Sequence, residues 1–170
     1  MNPFDAEFAG LAEYVGLYRH LRWQIVPAGM PGENQTYKRP LITWRPHQSE
    51  FVDDDTAAQW FAGRRHPQIG IVTGACSDGV FVIDLDTHKS PDAAQWWQQV
   101  LTDNDALAFE TPTQTTGGGG TQILFRAPSG WIPPTNKTSI GVDIRGQGGF
   151  AMLPPSRHES GRDYVWKEGL

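Results

Sequence analysis

The chain has 170 residues, of which 38% are hydrophobic, and a formal net charge of −5 at pH 7. This length suits one globular domain with a substantial core, and the negative charge argues against tight, non-specific nucleic-acid binding by the surface as a whole. A single cysteine, the lack of a signal peptide and the absence of an apolar run of roughly 20 residues favour a cytoplasmic protein without disulfides or membrane spans.

The first third of the chain is predicted to hold two helices and one strand. Asn2 and Pro3 are typical of a helix start, and apolar residues recur at spacings of three and four, which predicts a helix to about residue 21. Residues 23–26 predict a short strand. The acidic run 53–55, followed by Thr56, predicts the N-cap of a second helix rather than a metal site.

The remainder of the chain predicts strands with one helix between them. Buried-type strands are expected over 68–73 and 80–86, and Ser90–Pro91–Asp92 is expected to open a third helix. Further strands, separated by Gly and Pro, are predicted over residues 107–111, 122–126, 142–145, 150–153 and 164–166. The predicted fold class is α+β, with mixed sheets and helices packed on one side.

The segment VFVIDLDTHKS ends an apolar strand with two acids, Asp84 and Asp86. Residues two apart on a strand project to the same face, so the two carboxylates lie side by side. Their repulsion favours a hard divalent cation such as Mg²⁺ between them. The alternative is an acid pair in a surface turn.

A third acid occurs in GVDIRGQGGF, where Asp143 begins a late strand and Arg145 projects from the same face. Three acids from two strands could hold two divalent ions, one for an attacking hydroxyl and one for a leaving pyrophosphate. An adjacent Arg would help to neutralise phosphate oxygens. The alternative for Asp143 is a local hydrogen bond at a strand end.

Three further segments carry candidate phosphate or base contacts. The Gly-rich turn TTGGGGT (115–121) could bring backbone N–H groups close to phosphate oxygens, or could be a plain hairpin turn. In PPSRHESGRDYVW, Ser156 and His158 are candidate donors on a rigid turn, although a surface His is often incidental. Lys38–Arg39–Pro40 forms a basic patch, and Trp44 after it is a candidate for base stacking, although core packing is the usual role of Trp.

Taken in order from Lys38 to Trp166, these motifs resemble the N-terminal domain of bifunctional DNA primase/polymerases, the Prim-Pol family of the archaeo-eukaryotic primase superfamily. The segments that carry the resemblance are KRP, a downstream Trp, IGIVTG, VIDLD, ETPTQTTGGGG before ILFR, GVDIRGQGG and PPSRHESGRDYVW. Each is short, but the ordered set is specific to the family.

The resemblance implies an N-terminal α/β lobe packed on an RRM-like lobe, with the active-site cleft between them. It implies a nucleotidyltransferase that makes and extends primers on single-stranded DNA from NTPs or dNTPs, with a two-metal site for Mg²⁺ or Mn²⁺. The implied metal-binding, catalytic carboxylates are Asp84, Asp86 and Asp143. The implied contacts to triphosphate or template phosphate are Lys38 or Arg39, Arg145, Ser156 and His158.

The whole chain, 1–170, is then expected to be one catalytic domain of a larger plasmid, phage or chromosomal replication protein. Members of the family often carry a helicase or an accessory domain downstream, and such a partner is expected here. The acidic balance agrees with a domain that takes part of its DNA affinity from elsewhere.

The chain departs from the family at Gln122, where the family usually has a His that contacts the phosphates of the incoming nucleotide. A Gln amide can donate a hydrogen bond, but it carries no charge and transfers no proton at pH 7. We expect altered nucleotide handling rather than an inactive site. A catalytically weakened nucleotide- or template-binding module is the alternative, and a metal-dependent phosphodiesterase is a weaker third reading.

Overall fold

The computed structural model describes residues 10–32, 36–64 and 68–167, and within them it contains three α-helices and nine strands. The helices are α1 (Leu11–His20), α2 (Asp54–Phe61) and α3 (Pro91–Asp103). The strands are β1 (Gln24–Ala28), β2 (Gln68–Val72), β3 (Val80–Leu85), β4 (Thr113–Thr115), β5 (Thr121–Arg126), β6 (Asn136–Lys137), β7 (Val142–Arg145), β8 (Phe150–Leu153) and β9 (Val165–Trp166).

The strands form two antiparallel sheets. The smaller sheet has the order β1-β2-β8, and the larger has the order β6-β7-β3-β5-β4-β9. All residues of β1 and β2 are buried, and α1 and α2 both contact β1. The expected α+β class is confirmed at this level, while the expected division into two lobes stays a prediction.

The two sheets share one apolar core. Val80, Val82 and Leu124 project from the larger sheet and pack in one cluster with Ile25 and Ile69 of the smaller sheet. Since side chains alternate along a strand, the odd-numbered residues of β3 and β5 point the other way. There, α3 covers the sheet with Ala93, Trp96 and Trp97, which pack in one cluster with Leu85, Ile123 and Val142.

Several predicted boundaries agree with the structure. The first helix ends at His20, although its predicted start at Asn2 and Pro3 lies outside the described residues. The second helix is capped as expected, because the Asp53 carboxylate accepts a hydrogen bond of 2.7 Å from the backbone N–H of Thr56. The strands predicted over 142–145 and 150–153 coincide with β7 and β8.

The strand predicted over 107–111 is wrong. Leu107 is fully exposed, and the segment runs as a loop, from which Phe109 packs on Trp97 and Phe125. The strand begins only after Pro112, as β4, whose middle residue Gln114 is polar and wholly buried. The two-residue edge strand β6 was also missed. No helix in the described ranges is both long enough and apolar enough to cross a bilayer.

Candidate active site

One rung of the larger sheet carries polar side chains on three neighbouring inner strands. Asp84 on the central strand β3 lies opposite Asp143 on β7 and opposite Gln122 on β5. Paired residues of antiparallel strands project to the same face, and this is the face that carries Val80 and Val82 into the core. The rung therefore stands where the apolar core gives way to polar side chains.

Asp86 follows directly after β3 and borders the same cavity as Asp84. Its N–H donates to the Gly141 carbonyl at 2.8 Å, and its own carbonyl accepts from the N–H groups of Lys89 and Ser90. This turn leaves 45% of the Asp86 side chain exposed and brings the Lys89 ammonium to 3.8 Å from its carboxylate. The two acids therefore share a face, as expected, with Asp84 the more buried.

Arg145 connects two of the three acids. Its Nη2 lies 2.9 Å from Asp143 Oδ2 and 3.3 Å from Asp84 Oδ2, and all three side chains are less than a quarter exposed. Burial raises the pKa of the Asp84 carboxyl, while the Gln122 amide and the Arg145 guanidinium lower it and the nearby Asp86 charge raises it. A cation does lie between two carboxylates, but it is a side chain of the protein.

A cavity of about 270 Å³ opens beside Asp84 and Asp86. Its basic lining residues come from three separate parts of the chain and are Lys38, His88, Lys89, His158 and Arg162. Burial lowers the pKa of the Lys38 ammonium, as does the positive charge of Lys89, while Glu159, Asp84 and Asp86 act in the opposite direction. Carboxylates and cations thus face one small volume.

A second cavity of about 420 Å³ adjoins the first. The two share Lys38, Asp84, Gln122 and Tyr164 as lining residues, so together they form one cleft across the rung. Trp44 lines this second cavity and packs on Phe150, with ring centroids 6.3 Å apart.

The Gly-rich turn connects β4 to β5 and borders the cavity through Gly118. The Gly117 carbonyl accepts hydrogen bonds from Ser160 Oγ at 2.8 Å and from Arg162 Nε at 2.9 Å. A Cβ at position 117 would lie 2.2 Å from the Cβ of His158, so only glycine allows this close packing. The turn and the loop 157–163 therefore hold each other in place.

His158 presents a defined tautomer to the cavity. Its Nδ1 accepts a hydrogen bond of 3.1 Å from the N–H of Ser160, so the neutral ring carries its proton on Nε2. Burial lowers the pKa of the imidazole, and the positive charges of Lys38, Arg162 and Lys89 lower it further. At neutral pH the ring is therefore an uncharged donor beside the Gly-rich turn.

The structure does not bring every predicted site residue to the cavity. Ser156 is 1% exposed, and its hydroxyl both donates to the Ile69 carbonyl and accepts from the Ile69 N–H, each at 3.0 Å. It joins β2 to the segment after β8, so we do not retain it as a phosphate contact. Arg39 is exposed and is not among the lining residues.

Other residues that line the cavity were not predicted from the sequence. His88 and Lys89 follow the acid pair after a single residue, Thr87, in DLDTHKS, so their nearness to Asp86 could have been inferred. Arg162 and Tyr164 gave no comparable signal, because their position depends on the fold of the loop after β8.

The oxygen donors of the site match only part of the coordination shell of a divalent cation. Within the described ranges, no group of three or more His, Cys, Asp or Glu side chains is arranged to hold a metal ion. Mg²⁺, however, is commonly bound by only one or two protein carboxylates, with substrate phosphates and water completing the shell. Asp84 and Asp86 in a cation-lined cavity fit that mode of binding.

A comparison with curated proteins found no match. The family of bifunctional DNA primase/polymerase N-terminal domains matches residues 16–170, which include both sheets and every residue of the cleft. The chain therefore belongs to the bifunctional DNA primase/polymerase (Prim-Pol) family.

Proposed function

We propose that the chain catalyses template-directed nucleotidyl transfer, adding nucleotides from NTPs or dNTPs to primers on single-stranded DNA. The observation that carries this proposal is the cleft itself, in which Asp84 and Asp86 face cationic side chains across a volume that suits a triphosphate. Family membership supports the general activity, primase or polymerase, and the substrates that it implies.

In this proposal, Asp84 and Asp86 hold a divalent cation, Mg²⁺ or Mn²⁺, that enters with the nucleotide. Such a cation lowers the pKa of the primer 3′-hydroxyl and stabilises negative charge on the α-phosphate and on the departing pyrophosphate. Asp143 is the third carboxylate, and it is now paired with Arg145. A second metal of a two-metal site would draw on Asp143 as well.

The basic residues divide the remaining work in the proposed site. Lys38, Lys89 and Arg162 supply positive charge to the β- and γ-phosphates. His158 donates from Nε2 as a neutral group, so its contact persists at pH 7 without a charge. Gly118 leaves room for phosphate oxygens beside the turn.

Primer extension tests the proposal. The purified chain is incubated with a primed single-stranded template, dNTPs or NTPs, and Mg²⁺ or Mn²⁺. We expect Asp84→Asn/Asp86→Asn to abolish extension while the protein stays folded, and Asp103→Asn, an exposed acid on α3, to retain it. Equal extension by all three proteins would place the activity elsewhere.

A nucleotide- or template-binding module is the second candidate. The ion pairs of Arg145 favour it, because they compensate Asp84 and Asp143 without any metal. The acids alone are therefore no argument for catalysis. Nucleotide binding by the parent, with no extension under either metal, would select this function.

A further inference from the structure

We propose that Gln114 is a positioning residue, which acts through Gln122 to hold an amide donor against the Asp84 carboxylate. The inference deepens the proposed function and rests on it, since it takes Asp84 as a ligand of the divalent cation. Residues behind a metal ligand commonly fix its orientation, and their loss weakens metal binding or activity.

The orientation of both amides follows from one backbone carbonyl. Gln114 Nε2 lies 2.7 Å from the Met152 carbonyl oxygen and 2.6 Å from Gln122 Oε1. A carbonyl oxygen only accepts, so the end of Gln114 that faces it must be the nitrogen. The second hydrogen on that nitrogen then requires the oxygen end of Gln122.

The nitrogen end of Gln122 is consequently directed toward Asp84. Asp84 lies opposite Gln122 across β3 and β5, whereas Gln114 lies opposite Gln122 on its other side, on β4. Gln122 is 6% exposed, and its Oε1 accepts from Gln114. In this chain, residue 122 therefore supports a carboxylate rather than donating to a phosphate.

A glutamine is not the most stabilising residue type for position 114. Its side chain is wholly buried, and its Oε1 has no hydrogen-bond partner among the described residues. A buried acceptor without a partner costs stability, which an apolar side chain would avoid. A role in orienting Gln122 explains why an amide stands there.

The first test observes the amides directly in the metal-free protein. The side-chain ¹H–¹⁵N signals of Gln122 are compared in the parent, in Asp84→Asn and in Gln114→Met, a substitution of similar shape without donors. We expect both variants to shift these signals and Gln114→Met to speed their exchange with water. Unchanged signals in both variants would overturn the proposal. We call the chain of contacts from Gln114 through Gln122 to Asp84 the amide relay. This test holds even if the chain extends no primer, so a failure of the amide relay can be told apart from a failure of the proposed function.

The second test measures Mn²⁺ affinity by titration with the metal alone. The loss of such a supporting residue typically weakens metal binding by about 10- to 100-fold, so we expect Gln114→Met and Gln122→Met each to weaken it by about tenfold. The double variant should bind no more weakly than Gln122→Met, because both substitutions break one relay. If the losses in Mn²⁺ affinity of the two single variants add in the double variant, the proposal is overturned. Gln24→Met is the matched control, since Gln24 is also wholly buried but bonds to backbone groups beside the smaller sheet.

Steady-state kinetics separates the relay from a phosphate contact. We expect Gln114→Met to lower kcat about tenfold with little change in the KM for dNTP, on the same scale of supporting-residue effects. A raised KM with an unchanged kcat would show instead that Gln122 binds the nucleotide. Gln24→Met should leave both constants at the parental values.

Discussion

At the scale of single residues, Arg145 has the strongest influence on the acid cluster. Its guanidinium donates to carboxylates on two neighbouring strands and is itself only 22% exposed. Two carboxylates this close would otherwise repel each other in a poorly solvated place. Arg145 therefore contributes to the stability of the free protein as well as to the charge of the cleft.

Replacing Arg145 by Gln tests that contribution. Burial already raises the pKa of Asp84, and loss of the guanidinium would raise it further. A protein that contains an acid with a raised folded-state pKa becomes less stable as that acid ionises. The free energy of unfolding of the variant should therefore drop below that of the parent as the pH rises from about 4 to 7. We expect a loss of about 1–3 kcal/mol at pH 7, below the range for fully buried pairs, and a smaller loss at pH 4.5, measured by urea unfolding.

The matched control for that experiment is Arg157→Gln, which removes an exposed arginine that pairs with Asp163 at 2.7 Å. Exposed ion pairs contribute little, so this variant should unfold like the parent at both pH values. An Arg145→Gln loss that is the same at pH 4.5 and pH 7 would contradict the charge argument and indicate lost packing instead.

Cys76 gives a second residue-scale prediction. The thiol is wholly buried, and burial raises its pKa to about 11. Because the thiolate is the reactive form, iodoacetamide at pH 8 should modify the folded protein far more slowly than the urea-unfolded protein, as measured by mass spectrometry. The raised pKa also means that folding stability should decline as the pH rises from about 9 to 11. Rapid modification of the native chain would show that the thiol is accessible.

At the scale of elements, the Gly-rich turn and the loop 157–163 behave as one unit. Gly117 accepts from Ser160 and Arg162, and its missing side chain allows contact with His158. The loop in turn carries two of the cationic or donor groups of the cleft, His158 and Arg162. A change in the turn should therefore reach the nucleotide through the loop.

Gly117→Ala is the corresponding test. The added methyl group would lie 2.2 Å from the Cβ of His158, so the loop must move. We expect a stability loss of about 1–3 kcal/mol from overpacking and weaker dNTP binding, measured by urea unfolding and by titration. Gly16→Ala in α1, where nothing lies within 4 Å, should instead be neutral or stabilising. A dNTP affinity of Gly117→Ala equal to that of the parent would show that the turn does not affect nucleotide binding.

The elements also show where inference from sequence succeeds and fails. Alternation along β3 predicted that Asp84 and Asp86 share a face, because strand geometry is local. The pairing of Asp84 with both Asp143 and Gln122 depends on strands distant in sequence, and no local pattern predicts it. The β4 strand was missed since its buried residue is Gln114, which hydrogen bonds rather than apolar character keep in the interior. The burial of Ser156 has the same cause, since its hydroxyl bonds to the backbone of Ile69.

At the scale of the whole molecule, charge is distributed unevenly. The chain carries a net charge of −5, yet the lining of the cleft is balanced, with Lys38, Lys89 and Arg162 facing the acids Asp84, Asp86 and Glu159. Electrostatic attraction of a polyanion must therefore be local. A downstream helicase or accessory domain that adds DNA affinity stays a prediction.

The salt dependence of single-stranded DNA binding tests this distribution. If, with no nucleotide in the cleft, these three cations contact phosphates of the DNA strand instead, the slope of log K against log salt should be about −2. Lys38→Gln/Lys89→Gln should reduce the slope to about −1. The charge-matched control Arg126→Gln/Arg157→Gln, which removes two arginines already paired with Asp78 and Asp163, should not change it. A slope that responds equally to both double variants would indicate binding spread over the surface.

The ion pairs of Arg145 also have a consequence for the order of assembly. In the proposed mechanism, folding and metal loading would be separate events, because Arg145 already supplies a counter-charge to Asp84 and Asp143, unlike in domains that fold only around their ion. A chelator should then stop the chemistry without unfolding the chain. In that mechanism the active site is not completed when the polypeptide folds, but each time a nucleotide binds together with its cation.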